Sequence, residues 1–273
     1  MPSLREFKRR IGSVKNTQQI TRAMKLVAAS KVRRAQERIE NARPYCDHIS
    51  DLVNSLALRI EEEPPPLLRD DRKDGRTVLL VVTSDKGLCG AYNTNVNRMA
   101  LQYLQKREEE GKETALIVVG RKGRDFLTRR GYRAAHEYAE VYGKINFGLA
   151  KEIAELLTAE FLEGRADEVH VLTTEFISII RQSVRLDRLI PLAPPVPDAI
   201  DPKGDPVLTD YLYEPSPKKV LENILPRHIS VQVYRALLDA EASEFGSRMT
   251  AMDNATRNAE EMIAALTLRM NRV

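Results

Sequence analysis

From Leu4 onward, apolar residues recur at alternating steps of three and four and hold one heptad register for eight repeats. One heptad position reads Leu4, Ile11, Gln18, Lys25, Val32, Ile39, Cys46, Val53, Ile60; the position three residues on reads Phe7, Val14, Thr21, Ala28, Ala35, Ala42, Ile49, Leu56. An ordinary amphipathic helix drifts off such a register, so the sustained repeat predicts a coiled-coil helix from Pro2 to about Ile60. At 1.5 Å per residue this rod is about 85 Å long. Gln18, Thr21 and Lys25 interrupt the apolar register, while Ile20, Met24 and Val27 carry the stripe sideways. Two readings follow: a polar layer that fixes coiled-coil register, or a stretch where the helix meets a different partner. Pro44 lies on the outer face of the heptad and predicts a bend there, not an end.

The closing stretch repeats the pattern. Leu238, Ala242, Phe245, Met249, Met252, Thr256, Ala259, Ile263, Leu266 and Met270 alternate in steps of four and three, a second seam. Two heptad helices at opposite ends of one chain can pair with each other if they run antiparallel. Ala28, Ala35 and Ala42 on one, with Ala242 and Ala259 on the other, allow close approach. The competing reading pairs each helix with a second copy of itself.

Between the two, the period changes. Thr77–Thr83 and Thr114–Val119 are continuous β-branched runs, the pattern of strands buried on both faces. They are followed by a turn at Ser84–Asn93 with a helix from Thr94 to Glu110, and by a short basic helix and turn at Gly120–Gly131. Arg133–Val141 reads as an edge strand, Asn146–Leu162 as an amphipathic helix closed by Gly164, and Glu168–Thr173 and Phe176–Leu189 as two more strands. Strands alternating with helices predict a Rossmann-like α/β domain with a mainly parallel sheet. Eight prolines between Pro191 and Pro217 predict extended chain, with a short strand at Val207–Tyr213; Ser216 then caps a helix that has Pro217 in its first turn. The expected organisation is therefore an N-terminal helix 1–60, a linker 61–76, an α/β domain 77–190, a proline-rich connection 191–217 and a C-terminal helix 218–273. The fold class is α/β: a long antiparallel coiled coil with an inserted Rossmann-like domain.

Charge sharpens the picture of the rod. Residues 1–43 hold twelve Lys or Arg against three acids, in a chain of net charge +4 overall. No run approaches the ~20 apolar residues of a membrane span, and heptads that continue to Ile60 mark the basic N-terminus as structure and not as a targeting segment. Cys46 and Cys89 stand far apart, without metal spacing. Candidate chemistry is sparse. The turn Ser84–Asn93 offers Gly87-x-x-Gly90, neither the dinucleotide fingerprint nor the P-loop, and a tight strand-to-helix turn accounts for its glycines. Gly120-x-x-Gly123 is weaker, and Lys122, Arg124, Arg129 and Arg130 beside it read as a solvated face. His48, His136, His170 and His228 form no local ligand set, and no catalytic grouping is legible. The basic rod lacks the interleaved aromatics of a nucleic-acid binder; only Phe7 and Tyr45 lie nearby. A Rossmann-like nucleotide-binding enzyme is the alternative from another class.

Three long stretches, Ile20–Lys31 (ITRAMKLVAASK), Thr83–Asn93 (TSDKGLCGAYN) and Ala242–Ala259 (ASEFGSRMTAMDNATRNA), resemble in order and separation the signatures of one family, the γ subunits of F-type ATP synthase. Asp210–Pro217 (DYLYEPSP) is similar to a fourth. The resemblance implies a rotary shaft inside a ring of three α and three β subunits, with the α/β domain as a foot on the ε subunit and the membrane c-ring. It implies no cofactor, no catalytic residue, no metal, no nucleic acid and no membrane insertion. The location implied is peripheral, on the cytoplasmic face of a bacterial cell membrane. By the matching motifs, Met24 and Arg248 would meet the catalytic β subunits, with Lys8, Arg9 and Arg10 adding positive charge along the shaft, while Tyr211, Tyr213 and Glu214 would lie against the c-ring and ε. Two departures stand out: the family continues past the pair matching Asn271-Arg272 with a further helical segment, whereas this chain stops at Val273; and the regulatory insertion of photosynthetic members is absent, so that Cys89 alone cannot make their disulfide switch.

Overall fold

The structure, a computed structural model, describes residues 4–60, 63–70, 75–192, 214 and 216–272. Its elements in chain order are α1 (Leu4–Ala57), β1 (Thr77–Val82), α2 (Tyr92–Glu109), β2 (Thr114–Val119), α3 (Arg121–Thr128), β3 (His136–Tyr138), α4 (Phe147–Leu162), β4 (Glu168–Phe176), β5 (Gln182–Ile190) and α5 (Pro217–Arg272). A single 3-10 turn, Pro66–Leu68, lies in the linker and buries Leu67. The expected short strand at Val207–Tyr213 lies outside the described residues.

α1 and α5 pair antiparallel. Contacts step up one helix as they step down the other: Ser50 with Gln232, Arg38 with Glu241, Lys25 with Asp253, Thr21 with Thr256, Gln18 with Glu260. The buried positions of α1, from Phe7 through Thr21, Ala28, Val32 and Ala35 to Cys46, Ile49, Val53 and Leu56, follow the heptad register. Those of α5 include Leu238, Ala242, Phe245, Met252, Thr256 and Ala259 from its own seam. Around Val32 and Ala35, packed on Ala242 and Phe245, the small alanines permit the close approach their placement predicts. α1 runs as one helix through Pro44, and α5 through Pro226. At the start of α5, the Ser216 hydroxyl accepts from the Lys219 N–H at 3.4 Å, with Pro217 as first helical residue.

The sheet order is β3-β2-β1-β4-β5. β1 pairs parallel with β2 and β4, β3 lies parallel on the β2 edge, and β5 closes the other edge antiparallel to β4. Alternation along each strand sends Leu79, Val81, Leu116, Val118 and Leu172 to the face covered by α2 and α3. Val78, Leu80, Val82, Ile117, Val119 and Val169 go to the opposite face, against α4, the base of α5 and Val53 and Leu56 of α1. The rod's lower end therefore belongs to the domain core.

Strand boundaries differ from expectation at β3, which keeps only His136–Tyr138 of the expected Arg133–Val141, and at the β4–β5 turn. β4 extends to Phe176 and β5 starts only at Gln182, because Ser178 and Arg181 exchange backbone hydrogen bonds of 2.9 and 3.2 Å and close a tight hairpin. The turn is written in isoleucine, with Ile177 and Ile180 exposed at its tip, and so reads as strand in the sequence.

Candidate functional site

The crevice at the carboxyl ends of parallel strands, where strand order reverses, is where open α/β sheets bind ligands. Here it lies between β1 and β4, and α5 runs through it. Arg248 donates to the Gly87 carbonyl in the loop after β1 at 3.1 Å. Ser243 donates to the Thr174 carbonyl of β4 at 3.3 Å, and Ser247 to the Gln182 side chain at 2.5 Å. Gly246 brings the helix close enough that a Cβ would stand 3.1 Å from Gln182. The polar groups of both glycine loops are also engaged within the chain: the Ser84 N–H donates to Asn93 Oδ1 at 3.0 Å, and Asp85 accepts from the N–H groups of Arg121 and Glu140. A carboxylate thus sits where α3 begins, the place a phosphate would need. The geometry serves helix docking, and beside it a cleft of about 350 Å³ remains, lined by Lys31, Asp85, Lys86, Arg121, Glu244 and Arg248.

Two buried acids and a half-buried one lie along this contact. Glu241 is 1% exposed and uses both oxygens: Oε2 accepts from Arg38 of α1 and Oε1 from the Gly143 N–H, each at 2.6 Å. Arg38 also donates to the Ile145 carbonyl. Glu244 accepts from Arg248 at 2.8 Å, yet burial outweighs that cation and pushes its carboxyl up to about 7. Asp239, half-buried, is raised to about 6 by desolvation. Next to Gly143, the hydroxyls of Tyr142 and Tyr92 meet at 3.0 Å, and burial raises both phenols.

Higher on the rod, the interrupted stretch resolves into two faces. Gln18, Thr21 and Lys25 stay on the seam and are matched across it: Thr21 to Thr256 at 2.8 Å, Gln18 to Glu260 at 3.0 Å, Lys25 to Asp253 at 2.5 Å. Those partners, Lys25 first and then Arg257, hold the Asp253 carboxyl below its usual range. The displaced apolar residues point away: Ile20 is 60%, Leu26 65% and Val27 58% exposed, with Met24 half-buried at their margin. The polar layer therefore matches the register reading, and the outward stripe leaves an apolar surface of the kind that marks an interaction site.

Of the residues singled out from the sequence, Lys8, Arg9 and Arg10 are exposed near the start of α1, Arg10 pairing with Glu6 at 3.0 Å. Arg248 stands five residues before Asp253, the partner of Lys25, its side chain 13% exposed and committed to Glu244 and Gly87 where the rod meets the sheet. Glu214 is exposed; Tyr211 and Tyr213 lie outside the described residues. The four histidines are scattered: His48 contacts its own helix at Pro44, His170 meets Tyr103 and Glu168, and His228 is buried in α5. Among the described residues no group of three or more His, Cys, Asp or Glu could hold a metal, and no helix is long and apolar enough to cross a membrane. Sequence reasoning missed Arg38 and Glu241; the available signal was an acid at the edge of a small-residue seam opposite an Arg at matching heptad height.

Comparison with known proteins agrees with this architecture. The family model described as ATP synthase matches residues 3–273. The ATP synthase gamma chain of Moorella thermoacetica is 45% identical over 274 residues, covering 100% of this chain and 93% of that protein. The gamma chain of Geobacter sp. strain M21 is 44% identical, over 100% and 92%. Among solved structures, the central stalk and c-ring of Tetrahymena thermophila mitochondrial ATP synthase includes a chain that aligns at TM-score 0.63 and 26% identity, over 86% of this chain and 99% of that one. The rotor of Euglena gracilis mitochondrial ATP synthase, at 19% identity and TM-score 0.68 over 98% and 96%, shares the fold. A rod of both termini, an α/β unit docked on it, and full-length likeness at this identity place the chain in one family: it belongs to the γ chains of ATP synthase.

Proposed function

We infer that this chain is the central shaft of an F-type ATP synthase and couples ion flow through a membrane c-ring to ATP synthesis or hydrolysis at the β subunits of an α3β3 ring. The observation that carries the reading is the antiparallel α1–α5 rod, polar-matched across its seam and continuous at its base with the α/β core. Such a rod is asymmetric. At any angle it offers different faces to three identical β subunits and biases each toward a different nucleotide affinity, so turning it cycles those affinities. The chain needs no catalytic residue of its own; the partners hold the reacting groups.

Within this reading the upper rod enters the ring. Lys8, Arg9 and Arg10 supply positive charge toward it, and Met24 with the exposed Ile20, Leu26 and Val27 forms the apolar contact with β. Arg248, which also holds α5 to the loop after β1, is the contact on the second helix of the shaft with the β subunits. The α/β unit, with Tyr211, Tyr213 and Glu214, faces ε and the c-ring, at the cytoplasmic face of a bacterial membrane and peripheral to it.

Reconstitution tests the reading. Mixed with the α and β subunits of its own source, one copy should co-elute with an α3β3 ring that hydrolyses ATP; a folded chain that stays out of the ring would overturn it. Met24→Lys, which puts another charge at the socket contact, should impair ion-driven ATP synthesis more than assembly, and unchanged synthesis would remove Met24 from that contact.

A further inference from the structure

A shaft driven from its foot must pass torque from the sheet into two helices without letting them slide past one another. Along the upper rod the seam is lined by small side chains and crossed by separate pairs that join α1 to α5 alone: Gln18–Glu260 is exposed and weak, Lys25–Asp253 part-buried and Thr21–Thr256 buried. At the base α1 meets the domain through Val53 and Leu56, apolar contacts without direction. Arg248, Ser243 and Ser247 bond α5 alone to the α/β unit, whereas between these levels one set of bonds joins α1, α5 and that unit together.

We propose that Arg38 and Glu241 form a torsional clamp, a pair of positioning residues that locks α1 to α5 and both helices to the loop between β3 and α4. This rests on the shaft reading above. Arg38 lies on α1, Glu241 on α5, and Gly143 and Ile145 on the loop. Arg38 donates from one nitrogen to Glu241 Oε2 at 2.6 Å and from the other to the Ile145 carbonyl; Glu241 Oε1 accepts from the Gly143 N–H at 2.6 Å. Three bodies are thus joined in a closed ring of bonds, two of them anchored on a carboxylate shielded from water. Charge-assisted hydrogen bonds of a planar guanidinium are strong and fixed in direction. Removing one partner strands a buried charge, so the ring opens only at high cost. Sliding of α1 along α5 stretches the first bond, rotation of the pair against the sheet stretches the other two, and no neighbouring apolar contact opposes both.

The test uses the assembled complex with otherwise wild-type partners and the variants Arg38→Ala, Arg38→Lys and Glu241→Gln. ATP hydrolysis is measured on the α3β3 complex, ATP-driven ion pumping on membrane vesicles, and torsional stiffness from the angular spread of a probe fixed to the α/β unit while the ring is held still. Arg38→Ala should hydrolyse ATP near the wild-type rate, pump less per ATP, and show an angular variance larger by about twofold, since the change removes the charge-assisted bonds that tie α1 to both α5 and the loop. Arg38→Lys, which reaches one acceptor but not both, should fall between. A merely structural role would lower yield and leave the spread of assembled molecules unchanged. Unchanged variance and pumping ratio in assembled Arg38→Ala overturns the clamp. Should that variant not assemble, Glu241→Gln keeps the shape and loses the charge, and wild-type stiffness there overturns it equally. A wild-type chain that fails to enter the ring sinks the shaft reading and the clamp with it, whereas normal assembly with normal stiffness in the variants sinks the clamp alone.

Discussion

Gly120 follows β2 with φ +93°, and a Cβ built on it would lie 2.1 Å from the Thr83 carbonyl oxygen. Neither the backbone angle nor the space admits a side chain. Gly120→Ala should therefore destabilise the isolated chain by about 3 kcal/mol or more, at the large end of single substitutions, as read by denaturant titration. Glu244 makes a different kind of prediction. Burial raises its carboxyl from the ordinary 4.5 to about 7 despite the adjacent Arg248. Between those values the folded chain holds a proton that the unfolded chain has released, so stability is greatest below about 4.5 and falls as pH rises to about 7. Glu244→Gln retains an oxygen for Arg248 and lacks the titration. Its melting temperature should gain steadily on wild type from pH 4.5 to 7.5; parallel melting profiles across that range would show that Glu244 titrates normally. Asp239, raised to about 6, contributes the same slope to both proteins and cancels in the comparison.

At the scale of elements, the seam's polar layer can be dissected. The Thr21 and Thr256 hydroxyls meet at 2.8 Å, so one donates to the other while its partner donates to its own helix, to Gln18 O or Met252 O. Thr21→Val and Thr256→Val conserve shape, so each single change should cost about 1 kcal/mol and the double change less than the sum, with a coupling of about 1 kcal/mol in a double-mutant cycle. Strict additivity would mean that the hydroxyls do not interact. The two long helices were legible because a 3.5-residue repeat over many turns has few other physical explanations, and the buried strands because Thr77–Val82 and Thr114–Val119 are unbroken β-branched runs. The β4–β5 turn was not legible, since Ile177, Ile179 and Ile180 carry no turn chemistry and the hairpin is fixed instead by where Phe176 and Ile179 pack on the rod. The site divided in the same way. The stripe Ile20–Val27 announces itself by breaking a local register, but Arg38 and Glu241 are 203 residues apart, and their match at one heptad height can be read only once the register between the two helices is known. Arg248 shows the converse: a charged residue in a recognisable motif that the fold turns inward.

Over the whole molecule, Ile20, Leu26 and Val27 contribute almost nothing to the chain's own core. Changing all three to Ser should shift the melting temperature of the isolated chain by no more than about 2 °C, as for surface substitutions generally. The same variant should join an α3β3 ring with reduced affinity, and undiminished assembly would locate the ring's apolar contact elsewhere. The rod's pairing of the two ends of the chain also bears on its birth. Thr21 waits for Thr256 and Gln18 for Glu260, partners 235 and 242 residues later. At roughly 5–20 residues per second of synthesis, α1 emerges with its apolar seam uncovered for roughly ten to fifty seconds before its partner helix exists. During that interval every nascent α1 on the same message is a competing partner of matching pattern. The spacing of ribosomes on its message accordingly sets how often two unfinished shafts meet.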